Sequence, residues 1–464
     1  MVNLIALAIP LFFLGMGVEA WVAFRRKRPL FRLGDVIADL GCGVGQQLVT
    51  GFYGAALLGV YEWLYQHGRL VSSPTWAGWV GAFLGVEVAY YWWHRLSHEV
   101  NLLWAAHVVH HQSEDYNLAV ALRQSVTTTA SSFPFFAVLA VLGVPTLPFA
   151  VLNSLTTLYQ FWIHTELVPK LGVLEKVLNT PALHRVHHAV NPQYLDKNHG
   201  ATFAVWDRLF GTYAPEEERC VYGTTTPLRS FNPLWAQLEG FARLLRMSRA
   251  APSVGQAVAV WFRSPAWKPD WWHEPDAPAL SERPVYEVSI APARRRYVLA
   301  QLSFLLAATF CDVMWGAALG LPQQAVVAAV ILLGLWSMSA LVESKAFALE
   351  LEAGRLVATV ASYLGHFGQA NARRLCLALW RRFPFLGEYV TVDRNCHHVR
   401  PRLLKRRDFR RVAQQYRHFR EQFPQDVVLM RVGAFYEFYS PRPADSPGAA
   451  LGIKALGPTR RGAR

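Results

Sequence analysis

The strongest constraint on this chain is its first 24 residues, Met1 to Phe24, which carry a single charged side chain, Glu19, and run directly into Arg25, Arg26, Lys27 and Arg28. A run of that length spans a bilayer core, and inside it backbone N–H and C=O groups have no water to bond, so the run must be helical. The cations follow the apolar run instead of preceding it, which reads as a retained anchor and not as a cleaved secretory signal. Further candidate spans lie at roughly 38–64, 76–93, 298–319 and 322–342. A pair within 131–163 is broken at Pro145 and Pro148, and each half is short for a full crossing, so a shallow helical hairpin is expected there.

With 53% hydrophobic and 17% charged residues and 17 tryptophans among 464 residues, the chain departs from the balance of a soluble enzyme. The expected fold is all-α: a polytopic membrane helical bundle. If the 25–28 cluster is cytoplasmic, alternation puts 94–130, 164–296 and the tail after Val342 on the same side. The net charge of +14 is then largely topological, because Lys and Arg gather near an anionic cytoplasmic leaflet. Cys42, Cys220, Cys311, Cys376 and Cys396 are scattered and form no CxxC pair, so neither a zinc ribbon nor a disulfide framework is suggested.

Three histidine clusters carry the chemistry: His94-Arg-Leu-Ser-His98, His107-Val-Val-His110-His111 and His184-Arg-Val-His187-His188, which hold eight of the 16 histidines. On a helix, positions i, i+3 and i+4 share one face, so each cluster can aim its rings at one place. Eight nitrogen donors exceed the needs of one ion, so two ions sharing the cluster are the economical reading; imidazole alone leaves the element open among iron, zinc, copper and nickel. No HExxH occurs, which argues against a zinc peptidase. Tyr90, Tyr91, Trp92 and Trp93, just ahead of His94, suit an interfacial aromatic belt.

The order HxxxH, HxxHH, HxxHH resembles the fatty acid hydroxylase and sterol desaturase superfamily of membrane di-iron oxygenases. "HRLSHE", "QFWIHTE" at 160–166, "NHGATFAVWDRLFGTY" at 198–213 and two more apolar spans are similar to its alkylglycerol monooxygenase branch, over roughly residues 1 to 360. The resemblance implies that His94, His98, His107, His110, His111, His184, His187 and His188 bind two iron ions, with His164 as a ninth ligand. It makes Glu99 the essential acid, bonded to a ligand ring or placing the cofactor. Asn198, Trp206, Asp207 and Arg208 belong to a segment that folds back on the metal site. His199 stands where the family often has tyrosine, so it is either an extra ligand or, the reading preferred, a substitute for an aromatic. The implied activity is hydroxylation of a lipid C–H bond with O2: in that branch, beside the oxygen of a glyceryl ether, after which the hemiacetal falls apart to an aldehyde and glycerol. Sterol or fatty acyl substrates, and desaturation on the same core, are the alternatives within enzymes. Tetrahydrobiopterin or an external electron-transfer partner is the implied reductant. Absence of a retrieval signal points to a bacterial inner membrane.

The expected organisation is a histidine-bearing domain at 1–295, additional spans at 296–360 and a basic extension at 361–464. Residues 263–284 read as a proline-rich connector, and Cys396-His397-His398 as solvated. Residues 419–440 resemble the start of the mismatch-recognition domain of the MutS family, with Phe435 and Glu437 as its Phe-x-Glu element and candidate nucleic acid contacts. No P-loop follows, so a membrane-tethered nucleic acid binding protein is the alternative of another class.

Overall fold

In the computed structural model, residues 4–71, 76–273 and 283–367 are described, with four short stretches at 390–392, 399–401, 430–432 and 435–437. The apolar N-terminal run forms α1 (Leu4–Arg25). Next come α2 (Leu33–Gly68) and α3 (Trp76–Glu99), of 36 and 24 residues. Two later apolar runs form α11 (Pro292–Trp315) and α12 (Leu321–Val342). By length and composition, α1, α11 and α12 are apolar enough to cross a membrane. The first half of α2 is buried within the bundle, and it packs on α5, α9, α11 and α12.

The interrupted pair is the expected short hairpin: α5 (Thr128–Val141) and α6 (Thr146–Trp162), of 14 and 17 residues. Pro145 caps α6. The turn needs Gly143, whose φ is +90° and whose added Cβ would stand 2.3 Å from the Val71 carbonyl oxygen. Tyr61, Val86, Phe136, Leu139 and Leu152 from α2, α3, α5 and α6 share one apolar cluster, and the Tyr61 hydroxyl donates to the Val144 carbonyl at 3.0 Å.

A cap of shorter helices follows: α4 (Asn101–His111), α7 (Pro181–His187), α8 (Val205–Phe210), α9 (Pro233–Ala250) and α10 (Val254–Phe262). Extended backbone at Val100 separates α3 from α4. The Asn101 side chain donates to the Val260 carbonyl at 2.9 Å and its backbone N–H to Arg263 O at 2.9 Å, which ties the start of α4 to α10. Asn232 and Ser253 cap α9 and α10 through their side-chain oxygens, as those residue types favour. The connector after α10 is partly packed: Trp267, Trp271 and Trp272 lie on Leu244, Met247 and Val260.

The aromatic-belt expectation is corrected. Tyr91 and Trp93 are buried, and Trp92 is the exposed member of the four. Tyr91 stacks on Phe210 and Trp93 lies edge-on to His107, so packing against the cap, not lipid, uses most of this aromatic surface.

The chain divides into two compact units, Met1–Lys345 and Ala346–Arg464. α11 and α12 therefore belong with the histidine-bearing helices. The second unit holds α13 (Ala348–Phe367) and the four strands described in the chain: β1 (Val390–Val392) antiparallel to β2 (Val399–Pro401), and β3 (Met430–Val432) antiparallel to β4 (Phe435–Glu437). Phe435 pairs with Val432 and Glu437 with Met430 in that last pair. The rest of the 419–440 segment, and Cys396-His397-His398, lie outside the described residues.

Gly43 lets α2 lie against the 120–122 turn, because an added Cβ would stand 2.4 Å from the Leu122 carbonyl oxygen. Gly43→Ala is expected to destabilise the protein by about 1–3 kcal/mol, the usual cost of overpacking, read as a lower midpoint in thermal unfolding of the detergent-solubilised chain.

Candidate metal centre

The histidines gather into two donor sets. His94, His98, His107, His111 and His187 form one, and His110, His164, His184 and His188 the other; within each, the donor nitrogens all lie within 4.8 Å of one another and every ring is buried. All nine sequence-derived ligands are thus brought together. Helical geometry explains the sorting. His94 and His98, one turn apart on α3, enter the five-histidine set. In α4 the i, i+4 pair His107 and His111 joins that set, while His110, offset by three, points to the other. In the third cluster, from α7, His184 and His188 enter the four-histidine set and His187 crosses to the five-histidine one. Each HxxHH motif therefore straddles both sets, where the sequence suggested one shared face.

The ring nitrogens meet at hydrogen-bond distance, and in the His110–His164 pair, where both Nδ1 atoms face backbone carbonyls, they meet lone pair to lone pair. Nε2 of His107 is 3.1 Å from Nε2 of both His94 and His111. Nε2 of His164 is 3.2 Å from that of His110 and 3.0 Å from that of His184. Two neutral imidazoles with their Nδ1 protonated cannot share a hydrogen bond through Nε2. An ion with metal–nitrogen bonds of about 2.1 Å sets neighbouring octahedral donors about 3.0 Å apart, which matches. Nε2 of His98, His187 and His188 is buried with no hydrogen-bond partner. Buried polar groups are ordinarily satisfied, so these orphaned nitrogens fit ligands for two ions.

The opposite ring nitrogens fix the tautomers. Nδ1–H donates to a backbone carbonyl in His94 (to His199, 2.9 Å), His110 (to Arg123, 3.0 Å), His164 (to Gln160, 2.7 Å) and His187 (to Lys197, 2.9 Å). Such bonds leave Nε2 free for a metal and hold the ring in its plane. Burial pushes the His107, His111, His184, His187 and His188 rings well below the ordinary histidine value, with neighbouring imidazoles adding to the effect. His110 is pushed down by burial to about 4. The neutral, ligating form is the stable one at neutral pH.

Several supports had no sequence signal beyond their residue type. Asp39 and Arg123 are a fully buried ion pair at 3.0 Å. Arg123 also donates to the Val109 carbonyl at 2.7 Å and to Gln112 at 3.1 Å, closing the C-terminal turn of α4, while its own carbonyl holds His110. Glu87 accepts the backbone N–H groups of Thr202 and Phe203 at 3.1 and 3.3 Å. Glu19 on α1 accepts from Thr165, directly after His164, and from the Leu118 N–H at 2.7 Å.

The 198–213 segment does fold back on the site. Asn198 donates to the Leu183 carbonyl at 2.9 Å and to Ala214 O at 2.7 Å, which seats α7. Asp207 accepts from the N–H groups of His199 and Gly200 and from the Thr212 hydroxyl, at 2.7, 2.9 and 2.7 Å. That places the His199 carbonyl under His94. The His199 ring is in neither donor set; it packs edge-on at 5.6 Å from His94 and 6.2 Å from Tyr91, the place of an aromatic. Trp206 has its indole N–H buried without a partner. Arg208 does not support the site: it lies over the Tyr213 ring at 3.6 Å, exposed, and reaches Glu175 O at 3.5 Å.

Glu99 also differs from expectation. Its carboxylate accepts from Arg95 Nε at 2.9 Å and is 40% exposed, with no hydrogen bond to a ligand ring. The acid beside a ligand is Asp196, 3.7 Å from His98 Nδ1, held at a φ of +56°; no motif marked it.

A cavity of about 420 Å³ leads away from the centre. His107, His110 and His164 close one end, and its walls come from Phe12, Phe133, Phe136, Phe149 and Phe310 among others. Its volume suits one ligand of modest size.

Comparison with known proteins agrees with this geometry. Residues 79–212 match the fatty acid hydroxylase family, the stretch that carries all nine histidines of the two donor sets. The alkylglycerol monooxygenase of Danio rerio is 37% identical over 336 residues, 71% of this chain and 75% of that protein. The chain belongs to the alkylglycerol monooxygenase family. The human alkylglycerol monooxygenase is 38% identical, over 66% of this chain and 71% of its own length. The ornithine lipid hydroxylase OlsE of Rhizobium tropici is 30% identical over 27% of this chain and 39% of its own length. No solved structure matches.

Membership of the alkylglycerol monooxygenase family makes the chain a membrane-bound monooxygenase, an oxidoreductase. The animal relatives argue against the bacterial inner membrane. Tetrahydrobiopterin and nucleic acid binding gain no support among the described residues.

Two outcomes follow for the centre. Because the unfolded chain protonates His110 near 6.5 and the folded site only near 4, the unfolded state binds more protons in that window, and stability falls as pH drops through it. Metal content and melting temperature, compared at pH 7 and pH 5, should both fall at pH 5. Asp39→Asn leaves Arg123 as a buried charge without its partner and should cost about 3–5 kcal/mol, with loss of bound metal measured by elemental analysis of the purified protein.

Proposed function

We propose that the chain is a di-iron monooxygenase that hydroxylates a C–H bond of a membrane lipid with O2, the lipid being a glyceryl ether as the names of its relatives state for theirs. The observation that carries this reading is the apolar cavity ending on His107, His110 and His164. A lipid chain lying in it reaches both donor sets with one carbon while the rest stays among phenylalanine rings. Two iron ions held by the five- and four-histidine sets would supply the oxidising power drawn from O2.

The protein's own residues do the remaining work. The carbonyls of His199, Arg123, Gln160 and Lys197 hold four ligand rings in one tautomer and one plane. At the histidine end of the cavity, Gln124 and Gln160 set amide groups where the polar end of a substrate arrives. Tyr90 donates to the Gln160 side chain at 2.5 Å, which orients that amide. The buried His107, His110 and His164 at the cavity's end and the phenylalanine rings along it keep bulk water away from the centre, so reactive species meet the bound lipid first. Glu99 acts as a positioning acid: it holds Arg95, which in turn donates to the Tyr91 hydroxyl at 3.3 Å and the Phe210 carbonyl at 3.2 Å, bracing α3 against the 198–213 segment. The histidine cap faces the cytoplasm, on the side where cations collect after α1. The sequence's desaturase alternative shares this centre, but the monooxygenase and hydroxylase names among the relatives favour oxygen insertion.

Lipid product analysis in cells making the native chain beside a His110→Ala form tests the reading. Cleaved or hydroxylated ether lipid should accumulate with the native chain alone; identical products would end it. Glu99→Gln is expected to lower kcat about tenfold or more while leaving the metal content of the purified protein near that of the native chain, which separates a positioning role from a ligand role.

A further inference from the structure

The cap carries an apolar surface that the metal centre does not use. Val173, Leu174 and Val177, on the 3-10 turn at Gly172–Lys176 and just after it, are 71%, 48% and 50% exposed; Val205 and Leu209 of α8 are 42% and 65% exposed. The two stretches are joined by an antiparallel bridge between Leu178 and Phe203 and by the Ala204 N–H donating to the Val177 carbonyl at 2.9 Å. They form one patch of five large apolar side chains. Soluble surfaces rarely group them so.

Its position identifies what covers it. Phe203 lies edge-on to Phe83 of α3 at 5.7 Å, and the Tyr159 hydroxyl of α6 donates to the Asn179 carbonyl at 2.7 Å. Phe83 precedes His94 by eleven residues, about 16 Å along a helix, so the patch hangs from the metal level toward the opposite end of α3. At that depth α3 itself exposes Trp79, Val80 and Leu84, and at the upper end its exposed Trp92 touches Phe210 of α8 at 5.1 Å. The patch thus continues the apolar outer face of α3. Around it the exposed charges are Lys170, Lys176 and Arg208, while the nearby acids Glu175 and Asp207 are buried.

We propose that this pad lies in the head-group region of the bilayer, its five apolar side chains in the acyl boundary and Lys170, Lys176 and Arg208 on anionic head groups. The cap then grips the leaflet with its own surface, in addition to the spanning helices. Apolar burial with flanking cations is the energetic basis of such interfacial binding. The pad is built on the same segments that carry the α7 ligands and the His199 carbonyl, so its depth fixes the height of the metal centre relative to the lipids.

Nitroxide labels at Leu209→Cys and Val173→Cys, in a chain whose Cys311, Cys376 and Cys396 are serine, test this in nanodiscs of phosphatidylcholine with phosphatidylserine. Glu218→Cys, on an exposed charged loop, serves as the aqueous reference. Collision with O2 should exceed collision with a water-soluble nickel chelate at 173 and 209, and the order should reverse at 218. Nickel-dominated collision at 173 and 209 would overturn the proposal and mark the pad as open to water or to a protein partner. A Lys170→Glu/Lys176→Glu form should show several-fold weaker retention of spin-labelled phosphatidylserine. Unchanged retention would overturn the anionic-lipid part.

Discussion

The structure depends on the close approach of buried imidazole nitrogens, several of them without a hydrogen-bond partner. Nine buried rings lie together, with Nε2 pairs near 3 Å and others orphaned. Each nitrogen was removed from water, and without an ion that desolvation is uncompensated. Much of the surrounding polar structure can be understood as holding this arrangement in place until metal balances it. The carbonyls of His199, Arg123, Gln160 and Lys197 are the direct holders, and Asp207 and Asp39 hold two of the holders.

That hierarchy explains why so many charged groups are buried in a chain otherwise rich in apolar residues. Asp39 and Arg123 cannot be justified by packing, since a buried pair rarely improves on apolar substitutes of the same volume. Together they close α4 at the point where His107 and His111 diverge from His110. Glu87 serves the third cluster in the same way, by pinning backbone N–H groups of the 202–203 turn against α3. Glu19 does so for His164 from the first membrane helix, so even the N-terminal anchor contributes to the centre.

The two donor sets are unequal. Five nitrogens surround one place and four the other, and the cavity is lined by two rings of the four-nitrogen set, His110 and His164, against His107 from the five-nitrogen set. The less crowded place is therefore the one more open to a lipid. Helix periodicity creates this asymmetry, because an HxxHH motif cannot send all three rings the same way when two helices approach from opposite sides.

The sequence by itself determined the helical class, the three apolar helices at the two ends of the bundle sequence, the short hairpin at Pro145 and the histidines that gather at the centre, because each is a local property: hydropathy over a run, a proline that removes a donor, or histidines at spacings of three and four. Only the tertiary structure decided which histidine joins which donor set, since that depends on how α3, α4 and α7 are rotated against one another. It also decided the roles of Glu99 and Asp196. Glu99 sits next to a ligand in sequence yet points to Arg95, whereas Asp196, with no motif around it, approaches His98 through a left-handed turn. The aromatic run at 90–93 was misleading for a related reason: its composition fits a membrane interface, but the 198–213 segment returns to cover it. Long-range partners such as Asp39 with Arg123 leave no trace in local pattern, because a buried ion pair is defined by packing between distant segments and not by spacing along one.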